Sequence, residues 1–229
     1  VSLLRPANLD GARGAWSVLR VLVRRLREAF PAVRIILRAD SGFCRWRMLR
    51  WCEEHGVHYI VGLARNTRLE ALLKPAMEQA AKDFAATGDK QRRFEDLSYK
   101  AENWDKERRV IGKAEYTAKG ANPRFILTSL KGEGQALYDK IYCARGEAEN
   151  RIKEQQLDLF AGRTSCHGWW ANQLRLLLSS CAYTLVEAIR RLGLKGTSMA
   201  RAQAQTIRCK LLKIGAIVLR NTRRVQLLM

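Results

Sequence analysis

A chain of 229 residues with 47% hydrophobic content is long enough to bury a sizeable core. Its 42 Lys and Arg against 22 acids leave a formal charge of +20, well beyond what solubility requires and suited to a polyanionic partner, with nucleic acid as the first candidate. No apolar run approaches the ~18 residues of a membrane span and no signal-peptide pattern opens the chain, so a membrane partner is not expected and a cytoplasmic location is.

The opening stretch reads as an extended piece and a turn around Asn8–Gly11. Trp16, Leu19, Val23 and Leu26 then follow at helical spacing up to Phe30 and Pro31. Val33–Leu37 is a short apolar strand, Arg45–His55 a helix stopped by Gly56, and residues 57–64 ("VHYIVGLA") a buried strand. A further helix covers residues 68–86. Strands alternating with helices of this length predict an α/β layer. From Arg92 to Leu130 the texture changes to short alternating segments separated by polar turns, which predicts β structure. Helical spacing returns over Gln135–Phe160 and again over Trp169–Leu192, the latter apolar enough for a core helix with Trp169 and Trp170 packed inside. From Arg190 onward there are ten Lys or Arg and no acid.

Six cysteines (Cys44, Cys52, Cys143, Cys166, Cys181, Cys209) form no CxxC pair, and with three histidines (His55, His58, His167) no zinc spacing is met. They read as reduced thiols, mostly in the core.

Two carboxylates carry the chemistry. In "YCARGEAENRIKEQQ", read as one helix, Tyr142, Arg145, Glu149, Lys153 and Gln156 fall within an arc of about 80°, while Glu147 and Glu154 point away. That face is either a reactive surface or a solvated one in which Glu149 and Lys153 form an ordinary i,i+4 pair. Gly146 within it marks a helix start or a point of close DNA approach. Asp40 directly follows an apolar strand, where α/β sheets bind ligands, although Asp-Ser-Gly is also good turn chemistry. Paired, Asp40 and Glu149 supply hard oxygen ligands for Mg²⁺ or Mn²⁺, and two such ions support in-line phosphoryl displacement on a polynucleotide. Trp104, with Arg108 and Arg109 nearby, either stacks on an unpaired base or is a core tryptophan among solvated charges.

The Tyr142, Arg145, Glu149 spacing resembles the Tyr-Arg-Glu-Lys signature of bacterial insertion-sequence transposases of the DDE type. The ordered blocks "LRPAN", "RIILRADSGFCR", "GLARNTRL", "RGEAENRIKEQQLDLFAGRTSCH" and "NQLRLLLSSCAYTL" are similar to the thirteen-eighty insertion-sequence family of that group. The resemblance implies an RNase H-like α/β core with a β-rich insertion and a helical C-terminal part, divided as residues 1–91 (core, with Asp40), 92–130 (insertion), 131–192 (core helices, with Glu149) and 193–229 (basic segment). It implies metal-dependent cleavage and transfer of DNA strands, with Asp40 as the second metal-binding Asp, Glu149 as the final Glu, and Tyr142 and Arg145 on DNA phosphate. The implied partners are transposon terminal inverted repeats and target DNA, held by a possible homodimer at the bacterial nucleoid. Gln156 stands where the signature has Lys, so Lys153, one turn earlier, is the candidate to supply that charge. The family's first Asp has no counterpart on a strand ahead of Asp40: Asp10 lies in a turn and Glu28 inside a helix. A chain that opens on Val1 is therefore expected to begin after the first strand of the core. The reading from a different class is a non-catalytic nucleic-acid-binding remnant.

Overall fold

The structure, a computed structural model, describes residues 2–228 and divides into two compact units, residues 8–146 and residues 2–7 with 147–228.

The unit of residues 8–146 is a mixed sheet between two apolar layers. Helix α1 (Ala15–Ala29) leads to strand β1 (Ile36–Ala39), helix α2 (Trp46–Glu54), strand β2 (His58–Leu63) and helix α3 (Thr67–Thr87). Strands β3 (Gln91–Tyr99), β4 (Arg108–Thr117), β5 (Gly120–Ala121) and β6 (Arg124–Thr128) follow, then the short helices α4 (Gly134–Ala136) and α5 (Arg145–Lys153). The sheet order is β1-β2-β6-β4-β3, with β5 on β4. Only β1 and β2 run parallel; β2–β6, β6–β4 and β4–β3 are antiparallel. The first strand begins three residues later than the apolar run at Val33 suggests, because Pro31 and the bonded turn before it occupy the start of that run. Residues 92–130 form no separate sheet: β6 pairs directly with β2, so these strands extend the same layer.

Alternation along the strands explains why both faces are covered. Tyr59 and Val61, Val110, and Phe125 and Leu127 point to one side, where they meet Leu49 and Cys52 of α2 and Leu69, Leu73 and Ala76 of α3. Ile60, Ile111 and Ile126 point to the other, against Leu130, Leu137 and Tyr138. In α3 the buried positions Leu69, Leu73, Ala76 and Ala80 recur at 4, 3 and 4 residues, one stripe of a helix. Asn66 caps that helix by accepting from the Leu69 N–H at 3.0 Å, and Gly88 ends it at φ +73°.

An ionic network crosses this core. Arg108, on β4, gives Nε to Glu53 Oε1 at 2.8 Å, Nη2 to Glu53 Oε2 at 3.1 Å and Nη1 to Asp105 Oδ1 at 2.8 Å. The Tyr59 hydroxyl donates to the same Glu53 at 2.7 Å. Burial opposes the Glu53 charge, but hydrogen bonds from Arg108, Tyr59 and Lys106 outweigh it and hold its carboxyl below the usual range. This network corrects part of the sequence reading. Trp104 is only 8% exposed, edge-on to Tyr99 and capped by the Arg108 guanidinium, so it has no face to offer a base. Every nitrogen of Arg108 is spent inside the protein. Arg109 is likewise committed, to Asp96 and to the carbonyls of Leu130 and Gly132. The insertion-core alternative for Trp104 fits, and the guanidiniums of Arg108 and Arg109 are engaged by Glu53, Asp105 and Asp96.

The unit containing residues 147–228 is helical and has a smaller core of Val186, Ala204 and Ile207. Helix α6 (Trp169–Ala188) is not the core helix its composition suggests: Leu174, Leu178 and Leu185 are exposed, and Trp170 is 79% exposed. Its buried side chains include Asn172 and Gln173, which tie down neighbouring backbone; Asn172 brackets Cys166, and Gln173 accepts from the Leu4 N–H at 2.8 Å. The thiols are less internal than expected as well, since Cys143, Cys181 and Cys209 are exposed. Cys52, by contrast, is buried, and burial pushes its pKa up to about 12. No helix among the described residues is long and apolar enough to cross a membrane.

Candidate active site

In the unit of residues 8–146, Asp40 leaves the carboxyl end of β1 and caps the single 3₁₀ turn Ser41–Phe43, its Oδ1 accepting from the Gly42 N–H at 2.9 Å. Both readings of Asp-Ser-Gly therefore hold together. One carboxylate oxygen organises the turn, and Oδ2 of this exposed side chain carries no hydrogen bond among the described residues.

Tyr142 approaches the same turn from the opposite side of the sequence. It ends a π-helical stretch, Leu137–Tyr142, that packs against the sheet through Leu137 and Tyr138. Arg38 of β1 anchors that stretch by donating to the Ile141 carbonyl at 3.1 Å. The meeting point is Gly62 in β2: a Cβ there would lie 2.8 Å from both Ser41 N and Tyr142 Oη and 3.2 Å from the Asp40 carbonyl carbon. The strand end, the turn and the phenol pack together only because residue 62 has no side chain. Arg145 lies over the Tyr142 ring at 5.5 Å. Burial raises the Tyr142 pKa, Arg145 pulls it down and the Asp40 charge pushes it up; the net rise keeps a protonated donor next to the carboxylate. A cleft of about 300 Å³ opens here, lined by Ser41, Gly62, Arg65, Arg124, Tyr138 and Tyr142.

Gly62, Arg65 and Arg124 are site candidates that the sequence reading passed over. Arg65 follows the end of β2 as Asp40 follows β1, and that parallel was a usable signal. Arg124 comes near only through the β2–β6 register, which no local pattern announces.

Residues 142–156 are not one helix. The π stretch ends at Tyr142, a turn takes Cys143 and Ala144, helix α5 runs Arg145–Lys153, and a second π stretch covers Glu154–Asp158. The angular argument holds within α5, but it carries across neither the turn to Tyr142 nor the π stretch to Gln156. Gly146 is the second residue of α5, with nothing within 4 Å of its Cβ position, which fits a helix start.

In the unit of residues 147–228, Glu149, Lys153 and Gln156 are all exposed. The acids set aside by periodicity are the structural ones: Glu147 accepts from Arg151 at 2.6 Å, and Glu154 accepts from Arg190 at 3.2 Å and from Tyr183 at 3.1 Å. Lys153 makes no ion pair among the described residues, so the alternative in which it pairs with Glu149 does not hold. Asp10, the weak candidate for a first acid, lies in a turn with its Oδ2 2.5 Å from Arg45 Nη2, and Glu28 sits in α1 beside Arg24 and Arg25. Neither is on a strand.

A family model described as transposase DDE domain, group 1, matches residues 1–229. The chain belongs to that family. No curated protein matches it. Asp40 and Glu149, one in each unit, are each an exposed carboxylate, and carboxylate oxygen is a hard donor of the kind that Mg²⁺ or Mn²⁺ takes. No group of three or more ligating side chains is gathered among the described residues.

The crowding at Gly62 makes a test within this transposase domain. Gly62→Ala must displace backbone at Ser41, at an overpacking cost of about 1–3 kcal/mol. Gly112→Ala is the control, because its Cβ would meet Leu73 Cδ1 at 2.8 Å, the movable end of a side chain far in sequence from Asp40. Urea unfolding is expected to show both variants destabilised, whereas tyrosine fluorescence or NMR shifts at Tyr142 and Asp40 change only in Gly62→Ala. Unchanged signals at both residues in that variant would refute the close approach.

Proposed function

We propose that this chain is the catalytic segment of an insertion-sequence transposase that cuts and rejoins DNA strands with divalent metal ions. Its sheet and helices are read as an RNase H-like core whose strands 92–130 are the family's insertion. The observation that carries the proposal is the whole-chain family match together with Asp40 at a strand end, packed beside Tyr142, over whose ring Arg145 lies.

Each residue has a distinct task. Asp40 and Glu149 are the carboxylates that would hold the ions, which when bound lower the barrier by activating an attacking oxygen and stabilising a leaving one. Tyr142 donates its phenolic proton to a phosphate oxygen, and Arg145 supplies a charge-assisted partner for the same backbone. Lys153 takes the phosphate contact that the signature assigns to a Lys three residues later, where this chain has Gln156. Transposon ends and target DNA are the substrates, and a dimer would hold the two ends together.

The test is a pair of measurements on labelled duplex carrying the element's ends. With Mg²⁺ or Mn²⁺ the proposal expects nicked and joined products. In binding titrations Lys153→Ala should flatten the dependence of log K on log salt by about one phosphate, with Gln156→Ala milder and Gln156→Lys strengthening end binding. A Lys153→Ala slope equal to the parent's would remove Lys153 from the contact.

One further reading is favoured by the net charge. A formal +20 also suits a non-catalytic nucleic-acid-binding remnant. Steep salt-dependent DNA binding with no cleavage in either metal would select it.

A further inference from the structure

The last two strands, β7 (Ile217–Arg220) and β8 (Val225–Leu228), form a two-stranded antiparallel sheet of their own, in register from Ile217↔Leu228 to Arg220↔Val225. Nothing covers the four strand residues Ile217, Val218, Leu219 and Val225, all of which are exposed. A hairpin left alone in this way is marginally stable in water, so it gains from a partner. Its connecting turn is nevertheless well organised. Asn221 Oδ1 accepts from the backbone N–H groups of Arg223 at 2.9 Å and Arg224 at 2.8 Å, and the Asn221 N–H donates to the Arg224 carbonyl at 3.0 Å. That closed turn carries Arg220, Arg223 and Arg224 on a short arc of chain.

Arg220, Arg223 and Arg224 make no ion pair among the described residues, in contrast to Arg108, Arg109, Arg151 and Arg190, which are each tied to acids. Nor could a local one form, since no Asp or Glu follows Glu187 in the sequence. A cluster of positive charge with no counter-charge among the described residues, at the turn of an exposed hairpin, is complementary to a surface of closely spaced negative charge. Duplex DNA presents one phosphate charge per ~1.7 Å of axis.

We infer that the β7–β8 hairpin is a DNA-backbone clamp, in which Arg220, Arg223 and Arg224 at the Asn221 turn engage successive phosphates apart from the Asp40 and Glu149 chemistry. The inference rests on the reading of DNA as the partner. It adds an element whose contacts go to phosphate, so that it positions the duplex without reading base sequence.

The experiment uses the whole chain, a labelled duplex of arbitrary sequence, and titrations between 50 and 200 mM salt. Each phosphate contact contributes a slope of about −0.9, so the triple variant Arg220→Ala/Arg223→Ala/Arg224→Ala should lose about 2.7 from the slope. Over that salt range the parent's affinity should then fall about 40-fold more than the variant's. The triple Lys replacement should retain the parent slope, which separates charge from hairpin integrity. A parent that binds with a steep slope shared by the Ala variant overturns the clamp and leaves the DNA reading intact. A parent with no salt-dependent DNA binding overturns both. A change in oligomeric state with no change in slope assigns the hairpin to a second copy of the chain and also overturns the clamp.

Discussion

Asp40→Asn is expected to lower metal-dependent strand cleavage by about a thousandfold, and Glu149→Gln to do the same, with DNA affinity in each variant within about twofold of the parent. The magnitude follows from the several kcal/mol that a bound divalent ion supplies to a phosphoryl transition state, at 1.36 kcal/mol per decade of rate. Both replacements keep size and hydrogen-bonding capacity. The asparagine oxygen can still accept from the Gly42 N–H, so the turn after β1 persists and the loss reports on charge and not on folding. Affinity stays nearly constant because removing a negative charge from a surface that meets phosphate cannot weaken attraction. Cleavage is read from end-labelled duplex in Mg²⁺ and again in Mn²⁺, with a binding titration on the same preparations. Undiminished cleavage by either variant would exclude that residue from the reaction. A loss of binding parallel to the loss of cleavage would instead mark the residue as structural.

Arg108→Met is expected to cost the protein about 3 kcal/mol, the lower end of the penalty for breaking a buried ion pair. The Arg108 side chain is 2% exposed and bonds both oxygens of Glu53, so its removal leaves that part-buried carboxylate with only the Tyr59 hydroxyl and Lys106. Replacing the group as a whole, with Arg108→Met, Glu53→Leu and Tyr59→Phe together, should recover most of the loss, since a buried pair is worth little more than well-packed apolar residues of the same volume. Urea unfolding of the single and triple variants decides this. A single variant within about 1 kcal/mol of the parent would mean that water reaches Glu53 and the network is not truly internal.

The contrast between Trp104 and Asp40 indicates how much the sequence could reveal. Asp40 could be read because a strand followed by Asp-Ser-Gly is a local pattern and its place at a sheet's carboxyl edge follows from the strand itself. The same holds for α1, α2, β2 and α3, whose apolar periods and stop signals lie within each segment. Trp104, Arg108 and Arg109 could not be read, because their burial is decided by Glu53, Asp105 and Asp96, and Glu53 lies 55 residues before Arg108. A basic residue beside a tryptophan looks the same in sequence whether it faces solvent or a buried carboxylate. The stretch around Glu149 failed for another reason. Its composition is helical throughout, but the turn at Cys143–Ala144 and the π geometry after Lys153 alter the phase without altering the composition. Helix α6 misled in the opposite direction, since a run rich in leucine shows how apolar a helix is and not which of its sides finds a neighbour.

The margin position of β1 bears on how the molecule breathes. That strand has four residues and a single neighbour, β2, whereas β6 and β4 each lie between two partners and β3–β4 pair over nine positions. Among the described residues the β1 ladder is shorter than those behind it, and native-state hydrogen exchange should find the amides of residues 36–39 exchanging sooner than those of residues 110–114 and 125–127. Asp40 is thus joined to a short ladder that can yield while the antiparallel strands behind it stay closed.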